Sequence, residues 1–573
     1  MLLSLILSVL LSKPQGVGPN PQPFDLGAST WAATDELGRK LPDFGECGPA
    51  KAGKFVGIFY FLWHERRPQD LYDNSTLLND DPNHPAYGPK LNFHYWGKPW
   101  LGYYISSDPF VIRRHAQMLV EAGVDTLILD TTNGFTYDST VDTLCKEYET
   151  MRAEGQPTPK ICFFFIGKAA KASQHVYENF YAKGLYKDLW FYWKGKPLML
   201  APSKEVSPDI KNFFTIRDGG SYDLPNWFGN GQDRWLWVDK YPQRPSWHDD
   251  PKRPEELSVS IASHAVYNIG RSYHAGVEPQ ADRQNPAVGL NFSEQWQQAF
   301  SVNPEFLFIT GWNEWIAFKL EVGGLGGNWT TFLGKNLKEG EPYFVDEYSP
   351  EFSRDAEPMS GGFGDDYYYQ LLAGIRRYKG IASLPKPSAP KTISILNDFR
   401  KWGDVTPVYK DFTGDTGHRF FPGVSNLTYS NNSGRNDFET MKVARDDKNI
   451  YFYAHTAAPI TAPAGPTWMT ILMDADRDHK TGWEGYDYAI NRTVGWLEKN
   501  VGGWKWEKVC PVKYVVSGNE MQVAVPRSAL LMFGKLNFEF KWIDDVPEWG
   551  NIMDFIDKGD VAPDGRFNYV FKE

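Results

Sequence analysis

Cysteine is almost missing from this chain of 573 residues. Its four copies, Cys47, Cys145, Cys162 and Cys510, are scattered and lack the short paired spacing of a zinc site, which excludes a cysteine-built metal centre. An exported chain has room for one disulfide among them, and the spacing does not choose the pair. Basic charge is also in deficit: 60 Lys and Arg against 71 Asp and Glu leave a net charge of −11. Without a basic stripe, nucleic acid is excluded as a partner. Long hydrophobic runs are absent beyond the N-terminus, so no membrane span is expected. The opening Met1-Leu2-Leu3-Ser4-Leu5-Ile6-Leu7-Ser8-Val9-Leu10-Leu11 is too short to cross a bilayer. It reads as the apolar part of a signal peptide over residues 1–16, although it lacks a basic start and a small-x-small cleavage site. No cysteine follows it closely, which argues against a lipid anchor. A secreted or periplasmic location and a monomeric state are expected. Sequons such as those at Asn74 and Asn328 matter only if the source glycosylates its exported proteins.

Aromatic residues, by contrast, are abundant: 22 Trp, 30 Tyr and 37 Phe. Most must fill cores, yet flat rings also stack on the C–H faces of sugars. The Pro-rich segment 384–391 divides the chain. Before it, over residues 45–383, short apolar runs alternate with amphipathic stretches; after it, over 392–573, strand patterns dominate. Eight strands are predicted in the first part, at 56–63, 126–130, 161–166, 198–201, 213–217, 235–239, 258–263 and 306–310. Their continuous apolar character suits parallel strands covered on both faces. Asp108-Pro109 and Gly123 delimit a predicted helix between the first two. No Gly-x-Gly-x-x-Gly turn follows the first strand, which disfavours a dinucleotide-binding sheet. The expected fold is α/β: a (β/α)8 barrel followed by an all-β sandwich with strands near 450–455, 467–473, 522–525 and 538–542.

Barrel chemistry sits where strands end and βα loops begin. The predicted strand ends carry Trp63, His64 and Glu65; Asp130 and Asn133; Asp239 and Tyr241; His264; and Gly311-Trp312-Asn313-Glu314-Trp315. Hydrolysis of a glycosidic bond requires a proton donor for the leaving oxygen and a carboxylate that attacks or activates water. A strand-end acid can equally cap a helix or pair with an arginine, but Glu314 among indoles and Asn313 is the leading catalytic candidate. His64, His264 and Arg271 are secondary candidates for holding sugar hydroxyls, together with Trp63, Asn133, Tyr241, Trp312, Asn313 and Trp315. No His-x-His or His-Glu-x-x-His spacing occurs, which disfavours a catalytic metal, and no organic cofactor is called for.

The residues Gly57-Ile58-Phe59-Tyr60-Phe61-Leu62-Trp63-His64, the segment 108–130, Gly311–Trp315 and the Tyr-rich 366–378, in that order, resemble the glycoside hydrolase family 99-like barrels, a group that includes endo-acting α-mannosidases. The resemblance implies a poly- or oligosaccharide substrate. It also implies that Glu314 supplies a carboxylate acting through the sugar 2-hydroxyl, with a second Glu three residues on as acid/base. That position is Ala317, so the family mechanism does not carry over intact. Asp239 or Asp130 is the expected partner of Glu314; Glu321 is the next acid along. The alternative is a glycan-binding barrel without catalysis.

In the second part, Asp474, Asp476 and Asp478 alternate on a turn, a pattern that can surround a hard cation such as calcium, although the EF-hand spacing is not met. Residues 470–476 and 485–491 resemble the family 9-like carbohydrate-binding β-sandwiches.

Overall fold

The computed structural model of the protein describes residues 23–66, 70–77, 81–221, 230–324, 329–465 and 467–573. The expected signal peptide and Asn328 lie outside these. No helix among the described residues is long and apolar enough to cross a membrane.

All eight predicted barrel strands form: β1 (Phe55–Tyr60), β2 (Thr126–Asp130), β3 (Lys160–Phe164), β4 (Lys196–Leu200), β5 (Thr215–Ser221), β6 (Arg234–Val238), β7 (Glu256–Ser260) and β8 (Phe306–Thr310). They pair in parallel in the order β6-β5-β4-β3-β2-β1-β8-β7, with β6 lying beside β7 to bring the ends of the sheet together. The ring is a (β/α)8 barrel. Helices follow six strands: α1 (Pro109–Ala122), α2 (Asp138–Ala153), α3 (Ala169–Val176), α4 (Pro208–Phe213), α5 (Leu290–Val302) and α6 (Asp366–Lys379). Among the described residues, the connections β5–β6 and β6–β7 carry none.

Alternation along each strand decides which residues fill the barrel. Phe59, Phe61, Ile128, Phe164, Leu198, Leu200, Trp235 and Phe308 point inward as one cluster, while Ile58, Tyr60, Leu127 and Leu129 face the helices. The rings occupy space that smaller neighbours leave: a Cβ on Gly219 of β5 would stand 2.1 Å from Phe164 Cε2. At the N-terminal end a polar plug closes the ring. Glu255 accepts from Arg217 Nε and Nη2, both at 2.7 Å, and from the indoles of Trp193 and Trp235 at 2.9 and 3.0 Å. Burial raises the Glu255 carboxyl, but Arg217 and the two indoles outweigh it and hold it below its usual range.

α1 begins and ends as its sequence predicts. The Asp108 side chain accepts from Phe110 N at 3.1 Å, and Gly123 adopts φ 82°, where a Cβ would be strained. Beyond β1 and β8 the chain builds a rim. Phe93–Tyr95, Ile316–Glu321 and Pro342–Phe344 form a three-stranded antiparallel sheet that ties the two loops together.

The C-terminal part is a two-sheet β structure, as expected. Its strands are β9 (Val408–Lys410), β10 (Phe438–Arg445), β11 (Asn449–Thr456), β12 (Thr470–Asp474), β13 (Tyr488–Ile490), β14 (Trp496–Asn500), β15 (Trp506–Pro511), β16 (Lys513–Ser517), β17 (Glu520–Pro526), β18 (Asn537–Asp544), β19 (Asp560–Ala562) and β20 (Tyr569–Lys572). One sheet runs β9-β10-β11-β17-β16; the other runs β15-β14-β13-β12-β18, with β19 and β20 sharing the far edge of β18. Phe452 meets Phe540 at 5.7 Å and Phe438 meets Trp542 at 5.7 Å across the two sheets.

The sandwich is docked on α1 and α6 through buried ion pairs. Arg114 holds Asp564 at 2.9 Å, Arg419 holds Asp108 at 2.8 Å, and Arg566 holds Asp365 at 2.8 Å. All four cysteines are free thiols, so the disulfide allowed by the sequence does not form. Three are buried, and burial alone pushes the Cys162 thiol up to about 12 against a bond from Thr126.

Candidate active site

Glu314 stands four residues beyond β8, and three contacts fix it. Its backbone N donates to Asp355 Oδ1 at 2.7 Å, its carbonyl accepts from the Trp96 indole at 2.9 Å, and its Oε2 accepts from Arg354 Nη2 at 2.6 Å. The Arg354 guanidinium is the hub of the mouth. Its Nε lies 3.2 Å from Glu347 Oε1, its backbone N donates to Glu347 Oε2 at 3.0 Å, and Nη2 lies 3.5 Å from Asp346 Oδ1. Nη1 lies 3.2 Å from His264 Nδ1, and the guanidinium sits 5.0 Å from the centre of the half-buried Trp237 ring.

These groups differ in exposure, and this separates their chemistry. The side chains of Glu314 and Glu347 are 4% and 0% exposed, whereas that of Asp346 is 40% exposed. Burial pushes the Glu314 carboxyl well above its usual range; Arg354 pulls it back, and Asp346, Asp355 and Asp130 push it further. Glu347 is raised in the same way, by burial against the pull of Arg354, and then by the neighbouring Asp355 and Glu314. Glu314 and Glu347 are thus two buried carboxyls facing one guanidinium, and the proximity of like charges in so dry a place favours the protonated form of each. Asp355 behind them is raised by burial to about 6. Glu314 Oε2 and Asp346 Oδ1 flank the same Nη2 at 2.6 and 3.5 Å, so they are at most 6.1 Å apart, the two distances taken end to end.

The residues singled out from sequence fall into three groups. His264 joins the Arg354 hub, and Asp130 lies within electrostatic reach of it. The Asp130 Oδ1 accepts from Thr132 N and Oγ1 at 3.0 and 2.7 Å, and its carboxyl is raised by burial and by Asp346. Asn133 and Tyr241 are exposed on strand-end loops, and the half-buried Trp63 packs edge-on to Phe93. The remaining residues lie behind the site. Trp312 is wholly buried against His115 and Tyr368. Trp315 stacks on Trp96 at 4.4 Å and donates to Glu357. Asn313 clamps the Phe61 backbone, accepting from its N at 2.8 Å and donating to its O at 3.2 Å. Arg271 is buried 4.0 Å from the Tyr367 ring centre and donates to the Asp355 carbonyl at 2.8 Å. His64 is buried beside Ser106.

Asp239 is engaged by its own loop: Oδ2 accepts from Arg244 N and Nε at 2.9 and 3.0 Å, and Oδ1 from Lys240 N and Arg244 Nη2. Ala317 is buried on the rim sheet opposite His94, and Glu321 is paired with Lys90 at 2.8 Å. Asp346, Glu347, Arg354, Asp355 and Trp237 were not singled out from sequence. The acid-dense stretch 346–357 in the last βα loop is the signal that points to four of them.

In the sandwich, Asp474 and Asp476 gather with Asp487, not with Asp478 as the alternating pattern suggests. Asp478 Oδ1 instead accepts from Lys480 N at 3.1 Å, closing its own turn. Burial and Glu539 push Asp474 up to about 8. A polar cavity of about 310 Å³ lies against this turn, lined by Asp474, Arg477, His479, Glu484, Glu539 and Arg566.

The fold and the mouth thus define a β/α barrel with carboxyl groups converging at the C-terminal ends of its strands. No family model matches the chain, and no curated protein matches it. Among solved structures, it is similar to a GH99 endo-alpha-mannosidase from Bacteroides thetaiotaomicron in complex with bis-tris-propane, at 13% identity and a TM-score of 0.30, over 56% of this chain and 97% of that one. A second structure of the GH99 endo-alpha-mannosidase from that organism gives 14% identity and a TM-score of 0.32, over 57% and 98%. At these values the likeness adds nothing to the strand order and side-chain geometry, which stand by themselves.

Proposed function

We propose that the protein is an exported glycoside hydrolase acting on a poly- or oligosaccharide at the barrel mouth. The carrying observation is the convergence of Glu314, Glu347 and Asp346 on the Arg354 guanidinium, beside the half-buried Trp237 ring, with Asp130 within electrostatic reach. Glu314, whose carboxyl is held well above its usual range by burial, is the proton donor. Asp346, more exposed and next to Arg354, is the carboxylate that attacks the anomeric carbon as the leaving oxygen takes that proton. Water, deprotonated by Glu314, then releases the sugar from Asp346. The separation of at most 6.1 Å favours this two-step route with retention, for which about 5–5.5 Å is usual, over inversion at about 6.5–9.5 Å. Asp130 and His264 are placed to hold sugar hydroxyls. The sandwich serves as a carbohydrate-binding module, and its aspartate turn as a place for structural calcium.

A second reading, glycan binding without turnover, draws support from the near-complete burial of Glu314 and its ion pair with Arg354. One experiment separates them: a panel of plant, algal and host oligosaccharides assayed for released reducing ends and, in parallel, by calorimetry. Turnover that disappears in Glu314→Gln and Asp346→Asn while binding persists supports hydrolysis. Binding without turnover across the panel supports the second reading.

A further inference from the structure

Among the described residues, a dense unsatisfied group lies away from the mouth, at the seam between sandwich and barrel. Asp411 directly follows β9, Asp415 stands on the next loop, and Asp560 opens β19. Each exposes 1% of its surface, and together they place one carboxylate oxygen apiece within 4.8 Å of one another. Both oxygens of Asp411, Oδ2 of Asp415 and Oδ1 of Asp560 lack any hydrogen-bond partner. The other Asp560 oxygen accepts from the Phe438 amide, and Asp415 accepts from that of Thr416.

The surroundings neutralise only part of this charge, through Arg114 and Lys541. Asp437, Asp564 and Glu121 add to the field around the three. Arg114 is committed to Asp564 at 2.9 Å and stays 4.0 Å from Asp415, and Lys541 is bonded to the Pro563 carbonyl. Burying carboxylates without partners costs several kcal/mol each, on the order of a whole domain's stability for three. Protonation lowers the charge, but the four orphaned oxygens still have no hydrogen-bond partner. A cation at the centre takes one oxygen from each of the three residues at once. The donor set is oxygen only, and oxygens that all lie within 4.8 Å of one another can share one ion at the roughly 2.3–2.6 Å calcium–oxygen distance.

We propose that Asp411, Asp415 and Asp560 bind one hard divalent cation of the calcium class. Such an ion joins the strand exit of one sheet to β19 of the other. Through Asp564 and Arg114 it braces the sandwich against α1. The site shares no residue with the Glu314 group and does not depend on the reading of the mouth.

The test uses the full chain, purified with calcium and exchanged into metal-free buffer. Elemental analysis and thermal unfolding are measured for the wild type, Asp411→Asn/Asp415→Asn, and Asp474→Asn/Asp476→Asn. The wild type is expected to retain one calcium more per chain than Asp411→Asn/Asp415→Asn. Chelator should lower its Tm by on the order of 5 °C, and calcium should restore it. Equal metal content in these two proteins, or a wild-type Tm indifferent to chelator, overturns the proposal. If Asp411→Asn/Asp415→Asn does not fold, Asp474→Asn/Asp476→Asn decides. A chelator-sensitive Tm retained there supports the site, and its loss there overturns it.

Discussion

Arg354 Nη2 lies 2.6 Å from Glu314 Oε2 while Nε of the same guanidinium lies 3.2 Å from Glu347 Oε1. One positive charge therefore serves two carboxyls that are both buried. This relationship sets the electrostatics of the barrel mouth: two carboxyls raised by burial beside a permanent cation, with the half-exposed Asp346 at its edge.

Glu314→Gln keeps the shape and removes the transferable proton. Hydrolysis is expected to fall by about 10²–10⁴-fold, the usual contribution of a general acid, with glycan affinity by calorimetry changing little. Unchanged turnover would falsify the assignment of Glu314.

Arg354→Met removes the hub and leaves Glu314 and Glu347 buried without a cation. Denaturant unfolding should show a loss of about 3–5 kcal/mol. Adding Glu314→Gln and Glu347→Gln should recover part of it, because the orphaned charge is then gone. Strict additivity of the three changes would contradict the coupling described here.

Asp239 is engaged four times by Lys240 and Arg244, so Asp239→Asn is expected to loosen its loop and cost about 1 kcal/mol of stability. Turnover should fall far less than in Glu314→Gln. A loss as large as that of Glu314→Gln in the kcat measurement would place Asp239 in the chemistry.

At the start of α6, burial and Asp35 raise Asp366 to about 7 against Arg39. A carboxyl raised in the folded chain keeps a proton there that the unfolded chain releases near pH 4. Its contribution to stability is full below that pH and is lost as pH rises through about 7. Asp366→Asn is expected to flatten the decline in Tm between pH 4 and 7, as read by calorimetry in a buffer series. An identical slope in the variant would remove Asp366 as the cause.

Gly374 on α6 faces Trp296 of α5 so closely that an added Cβ would meet the ring at 2.1 Å. Gly374→Ala should destabilise the chain by about 1–3 kcal/mol, because neither helix can move without disturbing the packed barrel wall. Full stability in chemical unfolding would show that the two helices yield.

The barrel was legible because its signals are local. Continuous apolar runs at 126–130 and 306–310, and the Asp108-Pro109 start of α1, state their conformation within a few residues. The same locality made Glu314 visible, since it follows a strand directly. It also made Trp312, Asn313 and Trp315 look like cleft residues. An indole beside a strand end reads alike whether it faces a cleft or the interior, and only the packing of Trp96, His115 and Tyr368 around them decides.

The sequence by itself determined the eight strands, the two-part division of structure and the acid at the end of the last barrel strand. Each follows from periodicity and from polarity along a short stretch of chain. Only the tertiary structure decided what surrounds that acid. Asp346, Glu347 and Arg354 reach it from a loop more than thirty residues downstream, and Asp411, Asp415 and Asp560 meet across two sheets. Contacts of that separation arise from the closure of the barrel and the docking of the sandwich, which bring loops together without leaving any pattern in the residues between them.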